Sequence, residues 1–406
     1  MSAKLGTIAG FSADGFARAD AGSTINIAII GASGRVGRRL LELLASRHAV
    51  LAASGVHLRL VAVANSRRYL IVREGLSPEH AVVRLSKAHP ISDPAFADSL
   101  LHLPRPLIAV DCTASADIAA RYPQWLAGGI DVVTPNKFGP SADRSLARAI
   151  AAAQTATGAV LRDATTVGAQ LPLLQTLRDL RAAGDEVERF EAVLSGTLSY
   201  VLGNVQAGAA LSTAVRDAVA QGYAEPHPAL DLSGEDAARK LVILLRALGH
   251  DIEVADVERV PLIDAALLNE RDPGRLLAGL QAADETWRAR AAIADSRRER
   301  WIYRASFDRA SLDRSGSAPG RARVAPERVA LDHPLARLAP CENALILHSA
   351  YYRAAPLTIA GPGAGIDLTA AGVFADVLAV AQRHPRPFST HGAVDFDAVA
   401  AVEVAA

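Results

Sequence analysis

Lysine is nearly absent from this chain: of 43 basic side chains only Lys4, Lys87, Lys137 and Lys240 are lysines, and every other one is arginine. Arginine meets a need for positive charge but gives up no proton near neutral pH, whereas a partly desolvated lysine can. The plain alternative is a composition bias that left four lysines by chance. Cysteine is almost as scarce. Cys112 and Cys341 offer neither a disulfide framework nor a zinc-binding spacing, which fits reduced thiols in a cytoplasmic compartment. Net charge is lacking too: 43 acidic residues balance 43 basic ones, so there is no electrostatic case for nucleic acid or an anionic membrane as the main partner. No apolar run reaches the roughly eighteen residues that span a bilayer. The stretch before Thr24 has no continuous apolar segment and reads as a flexible tail, not a signal peptide.

At 406 residues the chain can build two domains with a sizeable core. Ile25 to Ile30 is an apolar run expected to be a buried parallel strand. It leads into Gly31-Ala-Ser33-Gly34-Arg35-Val36-Gly37 and then a helical pattern from Arg38 to Ala45. Strand, glycine turn and helix in that order form a dinucleotide site, because glycines admit a pyrophosphate to the free N–H groups at the helix start. A tight turn with no ligand is the alternative. A second strand, Leu58 to Ala64, ends at Asn65-Ser66-Arg67-Arg68 with no acid to hold a ribose 2′-hydroxyl. The arginines suit a 2′-phosphate and favour NADP over NAD, unless they are the exposed start of a helix. A third strand, Leu107 to Val110, runs into Thr113 and Ser115, where the nicotinamide half of a dinucleotide would lie. After a helix around Tyr122 to Ala127, the run Gly129 to Thr134 reaches Pro135-Asn136-Lys137 on the same side of the sheet.

The second half opens with an expected strand at Gly158 to Leu161. A helix follows at Leu173 to Arg181, then a half-buried strand at Val187 to Leu194, and Ser195-Gly196-Thr197 begins another helix. An open N–H and hydroxyl at that junction can bind a carboxylate. The segment Gly222 to Lys240, GYAEPHPALDLSGEDAARK, gathers Tyr223, Glu225, Asp231, Asp236 and Lys240. Asp236 and Lys240 are four apart and share a helix face; a routine surface pair worth a few tenths of a kcal/mol (about 0.2–0.5) is the alternative. Helices are expected at Asp264 to Ala282 and Thr286 to Arg298. Strands are expected at Arg300 to Phe307, Leu345 to Leu347 and Pro356 to Ile359, and Asp313 to Gly320 reads as a loop. A second glycine turn, Gly361 to Gly365, precedes a helix from Thr369 to Arg383 and suggests a return to the nucleotide-binding half. The fold class is α/β. A Rossmann-type domain spans 24–160 after a tail at 1–23, an α+β domain spans 161–355, and 356–406 returns to the first domain and ends in a tail.

The motifs VVTPNK ending at Lys137, TTVGAQLP at Thr165 to Pro172 and SGTLSYVL at Ser195 to Leu202 occur in a set order with two others. These are GYAEPHPALDLSGEDAARK and GPGAGIDLTAAGVFAD at Gly361 to Asp376. Together they resemble homoserine dehydrogenases from about Ile25 to Arg383. The resemblance implies NAD(P)H-dependent interconversion of aspartate semialdehyde and homoserine, on the route to threonine and methionine, by a homodimer formed through the second half. It implies that Lys240 donates a proton to the aldehyde oxygen and that Lys137 lies near that oxygen and the nicotinamide. Glu225 and Asp236 would hold the substrate ammonium or orient the lysines, with Asp231 in support. Gly196, Thr197 and Tyr223 would lie close to substrate, and Gly365 close to the cofactor. A monovalent cation (sodium or potassium) is implied at the carbonyls of Val167, Ala169 and Leu171. The glutamate that accompanies those carbonyls is replaced by Ala164, with Asp163 one residue off. Other departures are the GxxGxxG spacing, His227 where an acid is common, and Ser199 for asparagine. The chain reads as monofunctional, without a kinase domain or a regulatory ACT domain, so feedback through such a domain is not expected. Two other readings remain open. An aldehyde dehydrogenase of the aspartate-semialdehyde type would need an activated cysteine, and a non-catalytic NADP sensor would keep only the first half.

Overall fold

The computed structural model describes residues 24–90, 95–309 and 321–384. The tails at 1–23 and beyond 384, and the expected loop at Asp313 to Gly320, lie outside the described residues.

Seven strands form the first sheet: β1 (Ile25–Ile30), β2 (Leu58–Ala64), β3 (Arg68–Ile71), β4 (His89–Pro90), β5 (Leu107–Asp111), β6 (Asp131–Val133) and β7 (Leu161–Arg162). Their order is β4-β3-β2-β1-β5-β6-β7. The block β2-β1-β5-β6-β7 is parallel, while β3 and β4 add an antiparallel edge. All of β1 and β5 is buried, the polar Asn26 and Asp111 included, as strands covered by helices on both faces are. The chain leaves β1 towards β2 on one side and returns to β5 on the other, so the crevice at their carboxyl ends is the topological switch point where ligands bind.

A six-stranded second sheet has the order β13-β12-β8-β10-β11-β9. Its strands are β8 (Val187–Val193), β9 (Glu258–Arg259), β10 (Glu299–Asp308), β11 (Arg321–Ala330), β12 (Glu342–Ser349) and β13 (Leu357–Pro362). Phe190 and Phe307 on one face meet Leu177, Leu202, Leu241 and Leu245 from the helices Leu173–Ala182, Gly196–Gln206 and Glu235–Ala247. The opposite face carries a smaller cluster around Val193, Ile302 and Ile346. The helix Ile366–Ala381 then comes back to the first sheet, where Val373, Val377 and Val380 pack with Leu40 and Leu44 of the helix Arg35–Ala53. An ion pair of 2.7 Å between Arg39 and Asp367 joins the starts of these two helices.

Several expected elements differ. Residues 158–160 lie outside β7, because Gly158, at φ +74°, is the left-handed cap that ends the helix Arg144–Thr157. The expected helix at Asp264 to Ala282 is broken into Ala265–Leu268, Pro273–Gly279 and a 3₁₀ turn. Pro273 starts a new helix whose N-cap, Asp272, accepts from Arg275 N at 2.7 Å. Arg68 opens strand β3 and not a helix.

Candidate active site

The glycine turn lies at the switch point. Gly31 has φ +80°, and a Cβ on it would lie 2.9 Å from the Cys112 carbonyl, so the ends of β1 and β5 touch there. A Cβ on Gly37 would come within 2.3 Å of Gly31 O. The helix Arg35–Ala53 has Gly34 as its N-cap and no side-chain cap, which leaves first-turn N–H groups open for an anion. The residues therefore fit a dinucleotide pyrophosphate. Ser33 is half-buried, and its carbonyl accepts from Arg38 Nε at 2.9 Å. Arg35 is exposed and Val36 half-buried at the helix start. At the end of β2, Asn65 Oδ1 accepts from the backbone of Arg67 and Arg68 at 2.8 and 2.9 Å, building a tight turn that exposes Ser66 and Arg67. Arg68 is committed to the fold through Ala88 O, which leaves Arg67 as the arginine available to a ribose phosphate.

Beyond β5 a buried carboxylate organises the loops. Asp111 accepts from Tyr122 Oη at 2.5 Å, Asn136 Nδ2 at 2.9 Å and Thr113 N at 2.8 Å. Asn136 Nδ2 also donates to Ser115 O at 2.8 Å, so the loop that bears Lys137 is tied to the segment beside Gly31. Thr113 and Ser115 spend hydroxyl lone pairs on Ser115 N and Ile118 N.

The helix Glu235–Ala247 starts at Gly234, at φ +76°, where a Cβ would sit 1.9 Å from the Tyr303 hydroxyl. Only glycine fits both the backbone and the space. Gly234→Ala is expected to lose roughly 2–4 kcal/mol, combining left-handed strain with overpacking, measured as a lower urea midpoint at unchanged slope. Gly234 thereby sets Asp236 in the first turn and Lys240 one turn on. Each oxygen of Asp236 carries one ammonium: Lys240 Nζ at 2.8 Å from Oδ2 and Lys137 Nζ at 2.6 Å from Oδ1. The two lysines therefore meet on a single carboxylate. Lys240 also donates to Leu194 O at 2.7 Å, and its third N–H has no partner among the described residues.

Burial alone would raise the pKa of Asp236, but the charges of Lys240 and Lys137 outweigh it and hold the carboxyl far below the usual range. Lys240, only 13% exposed, is pushed below the ordinary lysine value by burial and by Lys137, against the pull of Asp236. Asp231 is pushed up by burial, with Asp236 and Glu225 adding to the shift; the bond from Glu225 N at 3.1 Å opposes it. The Glu225 side chain is exposed. Thr197 donates its hydroxyl to Tyr223 O, and the Tyr223 ring packs on Tyr200 at 4.7 Å between centroids. Gly196 is the first residue of its helix, capped by Ser195 Oγ accepting from Leu198 N. Gly365, at φ +136°, caps the helix Ile366–Ala381.

Two partners of this cluster carry no sequence signal. One is the Leu194 carbonyl. The other is Asn343 on β12, 1% exposed, whose Nδ2 donates to the same carbonyl at 3.5 Å and whose side chain fills the space a Cβ on Gly363 would take.

Among the described residues no group of three or more His, Cys, Asp or Glu side chains is arranged to hold a metal. At the carbonyls of Val167, Ala169 and Leu171, Ala164 offers no charge. Asp163 is bound to Arg178, and Leu171 O already accepts from Leu173 N at 2.7 Å. A partly buried cation needs anionic charge nearby, so these residues do not fit one.

A nucleotide turn at the switch point of a doubly wound sheet, tied by hydrogen bonds to a carboxylate-bridged lysine pair, is the architecture of a dinucleotide-binding α/β protein. The chain belongs to the homoserine dehydrogenase family: residues 172–378 match that family, and residues 33–162 match its NAD-binding domain. A bifunctional aspartokinase/homoserine dehydrogenase of Haemophilus influenzae is 34% identical over 88% of the chain and 43% of the relative. A Zea mays chloroplastic bifunctional enzyme of the same name is 34% identical, over 88% and 39%. The chain thus spans about two fifths of the length of these curated relatives. A crystal structure of a Candida auris protein of unknown function superposes with TM-score 0.78 at 29% identity, covering 89% of this chain and 99% of that one. A hyperthermophilic archaeal homoserine dehydrogenase in complex with NADPH shares the fold, with TM-score 0.67 at 23% identity over 89% and 99%. No helix among the described residues is long and apolar enough to cross a membrane.

Proposed function

We propose that the protein catalyses NAD(P)H-dependent interconversion of L-aspartate 4-semialdehyde and L-homoserine. The observation that carries this reading is the pair of ammonium groups, one desolvated, held on Asp236. When bound, the nicotinamide supplies or takes the hydride. In the reductive direction negative charge grows on the aldehyde oxygen, and Lys137 and Lys240 stabilise it in a partly desolvated site. Lys240 Nζ gives up a proton to that oxygen, and the lowered lysine pKa makes the transfer easier near neutrality. Asp236 orients both amines. Glu225 and Asp231 take the substrate ammonium, while Gly196, Thr197 and Tyr223 border its carboxylate end. Gly31 to Gly37, Asn65, Ser66, Arg67, Thr113, Ser115 and Gly365 line the cofactor. The open edge strand β13 supports a homodimer, and two unpaired thiols support a reducing compartment such as the cytoplasm.

The deciding assay follows NADPH and NADH consumption with aspartate semialdehyde at constant ionic strength, in sodium, potassium or tetramethylammonium chloride. NADPH oxidation without selective activation by sodium or potassium is expected, and no oxidation of either cofactor would overturn the reading. Arg67→Ala should raise KM for NADPH about tenfold and leave that for NADH nearly unchanged, since only the 2′-phosphate needs the guanidinium. Burial pushes both thiols up, with Asp111 adding to the shift at Cys112, which disfavours the aldehyde dehydrogenase reading.

A further inference from the structure

Where the two halves of the molecule meet lies a cavity of about 390 Å³. One wall is the helix Arg144–Thr157, which contributes Ile150 and Gln154. The opposite wall comes from the helices Leu173–Ala182 and Glu235–Ala247, with Arg178, Arg181, Ile243 and Arg246. Gly139 and Pro140, just beyond Lys137, close one end. The volume suits a small metabolite.

Its charge is one-sided. Three arginines face a single carboxylate, Asp163, which Arg178 already neutralises. Arg181 is exposed and lies against Gly249, and its guanidinium has no hydrogen bond or ion pair among the described residues. Arg246 donates to Pro140 O at 2.9 Å and Ile252 O at 3.0 Å, but its buried Nη2 has no partner. Burial holds this guanidinium below the ordinary arginine range even though Glu253 and Asp251 lie nearby. Those two acids are themselves engaged by Arg144. Gln154 Oε1 accepts from Leu161 N at 2.7 Å, which turns its amide donors to other use. The result is a cavity with apolar walls and uncompensated positive charge between two parts of the fold that must stay in register.

We propose that this cavity binds a small organic anion, its oxyanion head on Arg181 and Arg246 and its short aliphatic part against Ile150 and Ile243. A planar guanidinium with no internal partner suits such a head group. A ligand there bridges the loop after Lys137 and the helix that bears Asp236 and Lys240, so occupancy raises the thermal midpoint by mass action.

The test is calorimetric titration of the full chain with succinate and, separately, inorganic phosphate, at fixed ionic strength, with and without saturating NADPH. Saturable binding of either probe that NADPH does not displace is expected, weakened at least about tenfold by Arg181→Met and only partly restored by Arg181→Lys, which returns the charge without the planar fork. The Arg181 guanidinium is exposed and makes no side-chain hydrogen bond or ion pair among the described residues, so the variants should stay close to the wild-type melting temperature in the absence of anion. Three results would overturn the proposal: no saturable binding below about 10 mM, binding unchanged in Arg181→Met, or binding that NADPH abolishes, which would place the anion in the cofactor's phosphate site. None of these bears on the dehydrogenase reading, which rests on turnover.

Discussion

Lys240→Ala is expected to lower turnover by about 10²–10⁴-fold with the fold intact, the range typical for loss of a positioned acid. The argument is geometric. Lys240 spends one N–H on Asp236 and one on Leu194 O, which leaves a single proton to deliver. Lys137 sits on the other carboxylate oxygen and is 35% exposed, against 13% for Lys240, so the more desolvated amine is assigned the transfer. Charge and proton can be separated by Lys240→Arg. Arginine keeps a positive charge beside the reacting oxygen but gives up no proton near neutral pH, so turnover should stay low while KM for the aldehyde moves little. Steady-state kinetics and a melting curve on both variants suffice. An alanine variant with most of the wild-type turnover, or an arginine variant that restores it, would show that Lys240 serves only to bind or to fold.

Local signals in the sequence carried much of the architecture, and long-range ones did not. The strand β1, the Gly31 to Gly37 turn and the following helix can be read directly, because each depends on neighbours a few residues away. The pairing of Asp236 with Lys240 follows from helical spacing. The meeting of Lys137 with Asp236 does not, since it needs the end of β6 and the start of a distant helix to be brought together; only the family resemblance pointed there. Strand β11 carries no clear signal in the sequence because Pro326 sits within it, and proline argues against a paired strand; in the sheet it lies opposite Tyr303. The turn Asn65–Arg68 resolves an ambiguity that composition left open, since Asn65 closes it and Arg68 then starts β3. Asp111, Leu194 O and Asn343 had no signature at all. A buried aspartate that fixes loops, a main-chain carbonyl and an amide against a glycine are visible only once the packing is known.

Asp236→Asn is expected to damage both stability and catalysis, and the two effects have opposite pH signatures. Removing one partner of a largely buried ion pair leaves the other charge uncompensated, at a cost of about 3 kcal/mol. That figure is taken at the lower end of the usual range because Asp236 is 30% exposed. The pKa of Asp236 is depressed in the folded protein. Its stabilisation is therefore complete above the unfolded carboxyl value, about 3.9, and is lost as pH falls towards the folded value. The stability gap between wild type and Asp236→Asn should accordingly be full at neutrality and shrink progressively below about pH 4. Catalysis responds at the alkaline end. Burial and Lys137 already lower the pKa of Lys240, and Asp236 is the main influence holding it up. Without that carboxylate Lys240 loses its proton at lower pH, so aldehyde reduction, which needs the protonated amine, should fall off earlier as pH rises. Denaturant melts across the acid range and kcat against pH from neutral upward measure the two limbs separately. An alkaline limb that stays in place or moves to higher pH in Asp236→Asn would mean that Lys240 is not the group whose protonation the reaction requires.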